Sequence, residues 1–248
     1  MATLIIIPTY NERENIEKLL PDIYRALPGT HVLIVDDNSP DQTATFIENL
    51  QKTQYTDTLH LLKRAGKLGL GTAYIAGFQW ALQRDYDYIF EMDADFSHQP
   101  EYLPKLLEKA QAGADLVLGS RYVQGGGVRN WSLPRRLISR GGSLYAKTLL
   151  GLPLNDLTGG FKCFRRSTLE KLPLDQIECA GYAFQIELTY RTHLLGMKVA
   201  EVPIIFIDRT VGQSKMSKKI FLEAVLMVLK MRWQRKRFKR LLHNFSSR

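Results

Sequence analysis

Short apolar runs alternate with helical patterns along the first 120 residues of the chain. The runs are rich in β-branched residues and predict strands at residues 3–7, 32–35, 59–62, 88–92 and 116–118. Between them, apolar residues recur every three or four positions, as at Ile16, Leu19, Leu20 and Ile23. This alternation predicts an α/β fold whose mostly parallel, Rossmann-like central sheet is flanked by helices and joined by right-handed crossovers.

Polar residues follow the end of each predicted strand. They occupy residues 8–12, 36–41, 63–71, 93–95 and 119–121. Ligands of open parallel sheets bind beyond the carboxyl ends of the strands, where these segments would meet. The sequence therefore predicts a functional site at this edge of the sheet.

Two carboxylates, Asp93 and Asp95, come directly after the fourth strand. Acids this close repel each other unless a cation lies between them. Mg²⁺ binds one or two carboxylates together with substrate phosphate oxygens, and a metal there would stabilise a departing nucleoside diphosphate. The alternative is a solvated turn whose acids cap the next helix. The polar ends of the neighbouring strands favour the metal site.

A second acidic pair, Asp36 and Asp37, follows the second strand. In nucleotide-binding α/β folds an acid in this region binds the ribose hydroxyls. The same segment is also a candidate helix start, so we expect Asp37 to face the ligand and Asp41 to cap the helix. No GxGxxG motif follows the first strand, which argues against a dinucleotide-dependent dehydrogenase.

A basic loop interrupted by glycines contains Arg64, Lys67, Gly69 and Gly71 and precedes a helical pattern. Backbone N–H groups and a helix N-terminus favour phosphate binding, although this is not a Walker A sequence. The alternative is a flexible, exposed turn.

The second half of the chain is less regular. It predicts a mobile loop at residues 125–127, a turn at 158–160, and helices at 137–152, 182–195 and 220–242. It also predicts a strand at 198–208 that is interrupted at Pro203.

The net charge of +9 is unevenly distributed. Residues 215–248 carry 11 Lys and Arg and one acid, whereas the first 214 residues carry 23 basic and 24 acidic residues. Residues 121–155 carry six basic residues and no acid. This asymmetry indicates an anionic partner, either a nucleic acid or a membrane with phosphate headgroups.

The tail at residues 215–248 predicts a basic amphipathic helix that follows a catalytic domain at residues 1–214. Its predicted apolar stripe consists of Phe221, Ala224, Val225, Val228, Leu229 and Trp233. Such a helix suits a bilayer interface. It could instead pack its apolar face on the catalytic domain, or dock a membrane-anchoring partner protein.

The composition, with 45% hydrophobic and 24% charged residues, is typical of a globular protein. No apolar run reaches the roughly 18 residues of a spanning helix, so we expect the chain not to cross a bilayer by itself. The short run at residues 4–7 does not resemble a signal peptide. Cys163 and Cys179 lack metal-site spacing, so a reducing compartment is expected.

Six motifs in order carry a resemblance to a known family. They are Pro8-Thr9-Tyr10-Asn11-Glu12, Asp36-Asp37-Asn38-Ser39-Pro40-Asp41, Lys67-Leu68-Gly69-Leu70-Gly71, Asp93-Ala94-Asp95, Gly119-Ser120-Arg121-Tyr122 and Thr158-Gly159-Gly160-Phe161. Over roughly residues 3–215 the chain resembles the family 2 glycosyltransferases of GT-A fold, and among them the dolichol-phosphate (polyprenol-phosphate) mannosyltransferases. The resemblance implies transfer of mannose from GDP-mannose to a dolichyl or polyprenyl phosphate, with Mg²⁺ or Mn²⁺ as cofactor, on the cytoplasmic face of a membrane.

The resemblance also implies roles for individual residues. Positions matching the guanosine site are Pro8, Tyr10, Glu12, Val35 and Asp37. Positions matching the metal and diphosphate motif are Asp93, Ala94 and Asp95, and Lys67 is expected to add a phosphate contact. Arg209 and Lys215 match residues that close over the donor diphosphate. Arg121, Arg135 and Ser139 match the acceptor-phosphate positions, and Asp95, Arg121 and Arg135 are the expected catalytic residues.

A phosphate acceptor agrees with the residues themselves. Arg121 and Arg135 lie in the acid-free segment, and guanidinium pairs well with phosphate. A phosphate oxygen is already ionised at neutral pH, so no general base is required. In-line attack at C1 of the sugar would invert its configuration.

The chain departs from its relatives beside the metal motif. Ser97 stands where relatives often have a long polar residue, so we expect it to supply a weak metal ligand or to be replaced by water. The adjacent His98 is expected to lie behind the metal ligands or at the surface rather than to act as a ligand or base.

Other functions remain open from the sequence. Transfer of glucose from UDP-glucose to the same acceptor is compatible with every motif. A nucleic-acid-binding module would use the cationic tail, but no RNA or DNA motif is present and Asp93 and Asp95 would repel phosphodiesters. We therefore expect no nucleic acid partner. The intact acidic motifs argue against a scaffold protein that has this fold but no catalytic activity.

Overall fold

A seven-stranded sheet forms the centre of the structure, which is a computed structural model describing residues 1–178, 181–208 and 218–246. Its strands are β1 (Thr3–Thr9), β2 (His31–Asp36), β3 (Leu59–Lys63), β4 (Tyr88–Glu91), β5 (Leu116–Ser120), β7 (Lys162–Arg165) and β8 (Val199–Pro203). They lie in the order β3-β2-β1-β4-β7-β5-β8. A small parallel ribbon pairs β6 (Gly127–Arg129) with β9 (Ile205–Ile207).

The strand predictions for the first 120 residues are confirmed, because each predicted run falls within or overlaps one of β1 to β5. The predicted strand at 198–208 divides at Pro203 into β8 and β9, which belong to different sheets. β7 was not predicted. It runs antiparallel between β4 and β5, whereas the other pairs of the main sheet are parallel.

The helices cover both faces of this sheet. Their bounds are α1 (Arg13–Ala26), α2 (Thr43–Thr53), α3 (Leu70–Leu82), α4 (Leu103–Gln111), α5 (Leu133–Leu150), α6 (Arg166–Glu170), α7 (Tyr182–Leu194), α8 (Lys218–Trp233) and α9 (Arg235–Ser246). Helix α5 begins four residues before the predicted start, because Ser132 is extended and Pro134 is favourable in a first turn. It ends at Gly151, which adopts the left-handed conformation of a helix C-terminus.

Two apolar layers hold the helices on the sheet. Helices α1, α2 and α4 pack in one layer with Ile5 and Ile7 of β1. The other layer contains Leu4 and Ile6 together with residues of α3 and α5 to α9. Because successive side chains of a strand point to opposite faces, a parallel sheet covered on both sides requires such continuous apolar runs.

The tail is not one helix with a single apolar stripe, and that prediction is wrong. Helix α8 ends at Trp233 and a second helix, α9, begins at Arg235, with Gln234 between them. Val228, Met231, Phe238 and Leu242 are buried in the second layer. Trp233, assigned to the same stripe as Val228, is 84% exposed. These four residues pack as in the alternative given above, in which the apolar face of the tail lies on the rest of the chain.

Contacts with α7 and the preceding loop reinforce this packing. The Lys230 ammonium lies 2.6 Å from the Glu178 carboxylate, and the Arg191 guanidinium lies 4.6 Å from the Phe238 ring centroid. The predicted domain boundary between residues 214 and 215 lies outside the described residues, as does the side chain of Phe221. Of the helices that the structure describes, none is both long and apolar enough to cross a membrane.

We predict that Gly77→Ala strains the contact between α3 and β1. A Cβ at Gly77 would lie 2.6 Å from Cγ2 of Ile6, well inside the roughly 3.5–4.0 Å of an ordinary carbon contact. The free energy of unfolding should fall by about 1–3 kcal/mol, measured by urea denaturation.

Gly141→Ala in α5 is the matched control. A Cβ there has no neighbour within 4 Å, and alanine is the better helix former, so stability should rise by up to about 1 kcal/mol. Equal stabilities of the two variants would contradict the close packing at Gly77.

Candidate active site

The polar segments predicted from the sequence meet at the carboxyl ends of β1, β2, β4 and β5. Pro8 pairs with Val35 across β1 and β2, and Thr9 pairs with Asp36 one step further along. Glu12 directly precedes α1 and accepts a hydrogen bond from the side chain of Asn15 at 2.6 Å. The backbone therefore places the first two predicted nucleotide-binding segments side by side.

The Asp36 carboxylate shapes the turn after β2. It accepts hydrogen bonds from the hydroxyls of Thr9 and Ser39 at 2.9 and 2.6 Å, and from the N–H of Ser39 at 3.0 Å. These three bonds from Thr9 and Ser39 fix the carboxylate between β1 and the turn. The neighbouring Asp37 therefore remains as the acid of the pair that contacts the basic loop.

Asp41 serves two helices at once. Its carboxylate accepts the N–H of Thr43 at the start of α2, at 3.0 Å, and the N–H of Arg13 at the start of α1, at 3.1 Å. The first N–H groups of a helix have no partner within it, so both bonds satisfy donors that would otherwise be unpaired. Asp41 thus bonds the first N–H of α2 as predicted, but it does so from the residue before the N-cap position, which Gln42 occupies.

Asp37 is buried against the basic loop that follows β3. The Arg64 guanidinium lies 3.0 Å from its carboxylate and also donates to the Thr72 hydroxyl at 2.7 Å. Burial raises the pKa of Asp37, and Arg64 opposes that rise only in part. In the same loop, the Lys67 ammonium lies 4.4 Å from the ring centroid of Tyr10. The structure therefore brings Tyr10, Asp37 and Lys67 to one side of the cleft.

The Asp93-Ala94-Asp95 motif follows β4 at the mouth of the cleft. The Asp93 carboxylate accepts a hydrogen bond from the Tyr74 hydroxyl at 3.2 Å, and its side chain is 34% exposed. The Asp95 carboxylate accepts the N–H of Ser97 at 3.1 Å. Ala94, which lies between the two acids in the sequence, is buried and fixes the backbone that carries them.

The residues at this motif fit a hard divalent cation that shares its ligands with a substrate. Among the described residues, no cluster of three or more His, Cys, Asp or Glu could enclose a metal. Two carboxylates with substrate phosphate oxygens suit Mg²⁺ or Mn²⁺, whereas a structural zinc site needs four protein ligands. The buried Ser97 hydroxyl has no hydrogen-bond partner in the part of the chain that the structure describes.

His98 is buried behind the Asp93-Ala94-Asp95 motif and contacts its backbone. Its Nδ1 accepts the backbone N–H of Asp93 at 3.0 Å, and its ring stacks on Phe161 with 4.9 Å between the centroids. Burial lowers the pKa of His98, so the ring is neutral and carries its proton on Nε2. This geometry agrees with the expected position behind the metal ligands.

Arg121 forms a buried, two-pronged ion pair with Asp156. Its Nε and Nη2 atoms lie 2.6 and 2.7 Å from the two carboxylate oxygens, and Nη2 also donates to the Thr158 hydroxyl at 2.8 Å. The sequence did not indicate this partner, because Asp156 comes one residue after the acid-free segment. Arg121 is therefore held in a fixed orientation by Asp156 and Thr158.

Glu201 of β8 organises the turn that carries Asp156. Its carboxylate accepts the N–H groups of Asn155 and Asp156, both at 2.9 Å, and the Ser120 hydroxyl at 2.7 Å. Sequence reasoning missed this residue, since a single acid in a strand has no distinctive local pattern. Its contacts show that the end of β5 and the Asp156 turn form one unit.

The other two predicted acceptor residues lie on the first two turns of α5. The Arg135 guanidinium pairs with Asp208 at 2.5 Å and lies 4.4 Å from the Trp131 ring centroid, which Arg121 approaches at 5.6 Å. The Ser139 hydroxyl accepts a hydrogen bond from Tyr122 at 2.7 Å. Arg121 and Arg135 therefore lie beside Trp131, and Ser139 is bonded to Tyr122, whose ring lies 5.2 Å from the Arg121 guanidinium. Arg209 and Lys215 lie outside the described residues.

Residues 4–173 match the family model described as glycosyl transferase family 2. A polyprenol monophosphomannose synthase from Mycolicibacterium smegmatis is 47% identical over 91% of this chain and 85% of its own length. An undecaprenyl-phosphate mannosyltransferase from Micrococcus luteus is 49% identical over 94% of this chain and 97% of its own length.

Solved structures share the fold at low sequence identity. Glucosyl-3-phosphoglycerate synthase from Mycobacterium tuberculosis, in complex with Mn²⁺, UDP and glucosyl-3-phosphoglycerate, has a TM-score of 0.66 at 18% identity and covers 93% of this chain and 79% of that one. A mannosyltransferase from Pyrobaculum calidifontis, in complex with GDP-Man and Mn²⁺, has a TM-score of 0.60 at 16% identity and covers 97% and 68%. Both support the α/β architecture described above.

We predict that Asp156→Asn destabilises the protein strongly, because it removes the charged partner of the buried Arg121 guanidinium from their two-pronged ion pair. The free energy of unfolding at pH 7 should fall by about 3–5 kcal/mol in urea denaturation. Burial alone would raise the pKa of Asp156, but Arg121 outweighs burial and lowers it. The pair therefore stabilises the fold fully above the usual Asp range, and this contribution is lost as the pH falls through the lowered pKa.

The difference in the free energy of unfolding between wild type and Asp156→Asn should accordingly become smaller as the pH is lowered. Asp175→Asn, at an exposed acid, is the control and should change stability by less than about 0.5 kcal/mol. Equal stability of Asp156→Asn and wild type at pH 7 would show that the ion pair does not hold this part of the site.

Proposed function

Because this chain belongs to glycosyl transferase family 2, we propose that it transfers mannose from GDP-mannose to a polyprenyl (dolichol-type) phosphate at a membrane surface. The observation that carries the proposal is the near full-length match to two relatives named for mannosyl transfer to polyprenol carriers. The geometry supports it, since the acids after β4 and the arginines beside Trp131 both border the cleft.

In this proposal the donor lies across the ends of β1, β2 and β4. The guanosine is held by Pro8, Tyr10, Glu12, Val35 and Asp37. The diphosphate is bound by Lys67, Asp93, Ala94, Asp95, Arg209 and Lys215. The pairing of Asp37 with Arg64 and the position of Lys67 over Tyr10 support a preformed pocket on the nucleotide side.

Asp93 and Asp95, with Ser97 as a weaker third ligand, would hold Mg²⁺ or Mn²⁺. When bound, such an ion would offset the charge that develops on the departing GDP. Tyr74 and His98 keep the motif in place, because one donates to the Asp93 carboxylate and the other accepts the Asp93 N–H. This support holds one of the two carboxylates in a fixed orientation.

The acceptor phosphate is placed by Arg121, Arg135 and Ser139. One of its oxygens attacks C1 of the mannose on the face opposite the diphosphate, and the C1–oxygen bond to GDP breaks with its electrons leaving on GDP. The attacking oxygen is already ionised, so the residues position and neutralise charge rather than move a proton. The product is a polyprenyl phosphate mannose with inverted configuration.

An exposed apolar and basic surface on α5 supports membrane contact. Leu133 and Leu137 are 72% and 73% exposed, and Arg136 and Arg140 are exposed beside them. Helix α8 packs against α5 and exposes Trp233. Apolar side chains bordered by basic ones suit the bilayer interface. We therefore propose that α5 and the tail together hold the enzyme peripherally on the cytoplasmic face of a membrane, alone or with an anchoring partner protein.

We expect label from GDP-mannose to enter the organic phase when the protein is incubated with a polyprenyl phosphate in detergent and Mg²⁺ or Mn²⁺. Asp95→Ala should lower the rate at least about 100-fold, because it removes transition-state charge stabilisation. Asp85→Ala, at an exposed acid before β4, is the control and should retain the rate.

The assay separates the alternatives. Transfer from UDP-glucose in place of GDP-mannose would keep the acceptor and change the donor. Transfer from neither donor would contradict the proposed function, and a product with retained configuration would contradict in-line attack.

We also expect the double variant Leu133→Gln with Leu137→Gln to bind vesicles containing anionic phospholipid less tightly than wild type in sedimentation. The two leucines supply apolar contact, and each nearby basic residue adds roughly 1 kcal/mol of attraction that salt weakens. Leu68→Gln, at a similarly exposed leucine, is the control. If the double variant bound vesicles as tightly as wild type, α5 would not be part of the membrane-binding surface.

A further inference from the structure

A cluster of polar side chains lies at the amino ends of β2 and β3, on the edge of the sheet opposite to the cleft. His31 begins β2, and His60, the second residue of β3, pairs with Leu33 in the register of the two strands. Because alternate residues of a strand share a face, both imidazoles lie with Leu33 on the α3 side of the sheet. Tyr86, which precedes β4, brings its hydroxyl to the same place.

Three potential ligand atoms converge in this cluster. Nδ1 of His31 lies 3.0 Å from Nε2 of His60, and the Tyr86 hydroxyl oxygen lies 3.0 Å from the first nitrogen and 3.3 Å from the second. Zinc–nitrogen bonds are about 2.0–2.1 Å long, so neighbouring ligands of one octahedral or tetrahedral ion lie about 2.8–3.4 Å apart. All three sides of the triangle therefore have the length expected for ligands of a single ion.

The imidazoles are in the protonation state that binds metals. Burial lowers the pKa of His31, and burial, His31 and Arg84 together lower the pKa of His60 to about 4. Both rings are therefore neutral at pH 7, and each can present an unprotonated nitrogen to an ion while its proton lies on the other ring nitrogen. Burial raises the pKa of Tyr86, so its phenol stays protonated and is the weakest of the three ligands.

The surroundings of the cluster leave it accessible and give it little net charge. The two histidines are half-buried, so an ion can reach them from solvent. The Trp80 ring lies 5.0 Å from the His60 ring, and the Arg84 guanidinium lies 3.6 Å from the Trp80 ring centroid. The charges that act on the two imidazoles are those of Arg84 and of the exposed Asp57, which are opposite in sign. The type of ligand atom, rather than the local charge, therefore determines which ion fits.

We propose that His31, His60 and Tyr86 form a binding site for a late first-row transition metal ion such as Zn²⁺ or Ni²⁺, with water completing its coordination. Imidazole nitrogen suits these ions, whereas carboxylate oxygen suits Mg²⁺ and Mn²⁺, so this site and the acidic motif after β4 select different metals. Only two of its three ligands are histidines, which distinguishes it from clusters of three or more His, Cys, Asp or Glu, and the described residues contain none of those. An ion here joins β2, β3 and the segment before β4.

Calorimetric titration of the full-length protein with Zn²⁺ in excess Mg²⁺ tests the site, because Mg²⁺ competes for the acidic motif. Wild type should bind about one Zn²⁺ per chain. Loss of an outer-shell partner of a ligand already costs about 10–100-fold in metal affinity, so loss of a ligand in His60→Gln should weaken Zn²⁺ binding at least about tenfold. Asp95→Ala should retain the Zn²⁺ affinity of wild type. His193→Gln is the matched control and should also retain it, since His193 is another half-buried histidine whose pKa burial lowers.

Trp80 provides a second measurement that leaves the ligands intact. Paramagnetic Ni²⁺ quenches the fluorescence of a nearby indole, so Ni²⁺ should quench wild type saturably, and this quenching should be lost in Trp80→Phe, in which Trp131 and Trp233 remain. Tyr86→Phe keeps the ring and should weaken binding of both ions less than His60→Gln does, because a protonated phenol is a weak ligand.

The outcomes decide between a metal site and a cluster that is held only by hydrogen bonds. Urea denaturation shows whether His60→Gln is folded, and if it is not, the quenching experiment decides. The proposal would be overturned if wild type bound no Zn²⁺ in excess Mg²⁺, if His193→Gln or Asp95→Ala lost affinity as His60→Gln does, or if saturable quenching persisted in Trp80→Phe. None of these results bears on mannosyl transfer, which is judged by its own assay.

Discussion

The antiparallel insertion of β7 between β4 and β5 is the constraint on which the site depends. In a parallel strand the carboxyl end faces the cleft, but β7 runs the other way, so the segment that enters it lies at the cleft instead. That segment carries Asp156, Thr158 and Gly160. The N–H of Gly119 donates to the Phe161 carbonyl at 2.8 Å, which fixes the segment against β5. One strand direction thus brings Asp156, the partner of Arg121, and Gly160, which lies beside Asp93, into a single cleft.

The two arginines assigned to the acceptor differ in how firmly the protein holds them. Arg121 is buried in its pair with Asp156, whose position Glu201 fixes in turn. Arg135 and Asp208 are about a quarter exposed, so water screens their pair far more. Under the proposed function, an incoming phosphate would compete for Arg135 at low cost, whereas Arg121 would stay in its pair with Asp156. The proposed acceptor site would then combine one rigid guanidinium with one exchangeable guanidinium.

The sequence predicted the features that depend on local pattern. The strands before residue 120, the Asp41 cap and the polar strand ends all follow from spacing within a few residues. The parts that were missed depend on distant contacts: Asp156 meets Arg121 across 35 residues, and Glu201 meets Asp156 across 45. The tail was predicted as one helix because no Gly or Pro interrupts residues 220–242, and only packing against α7 separates buried Phe238 from exposed Trp233.

The described residues around the metal motif also explain why an ionised acceptor suits this site better than an alcohol. An alcohol must lose a proton as it attacks, which requires a base within hydrogen-bonding distance. The unprotonated nitrogen of His98 is already occupied by the Asp93 N–H. Burial raises the pKa of Glu91 to about 7, a useful value for a base, but its carboxylate is fully buried and cannot reach an acceptor. A phosphate oxygen needs neither group, so the contact that removes His98 from proton transfer leaves it to hold Asp93 in place.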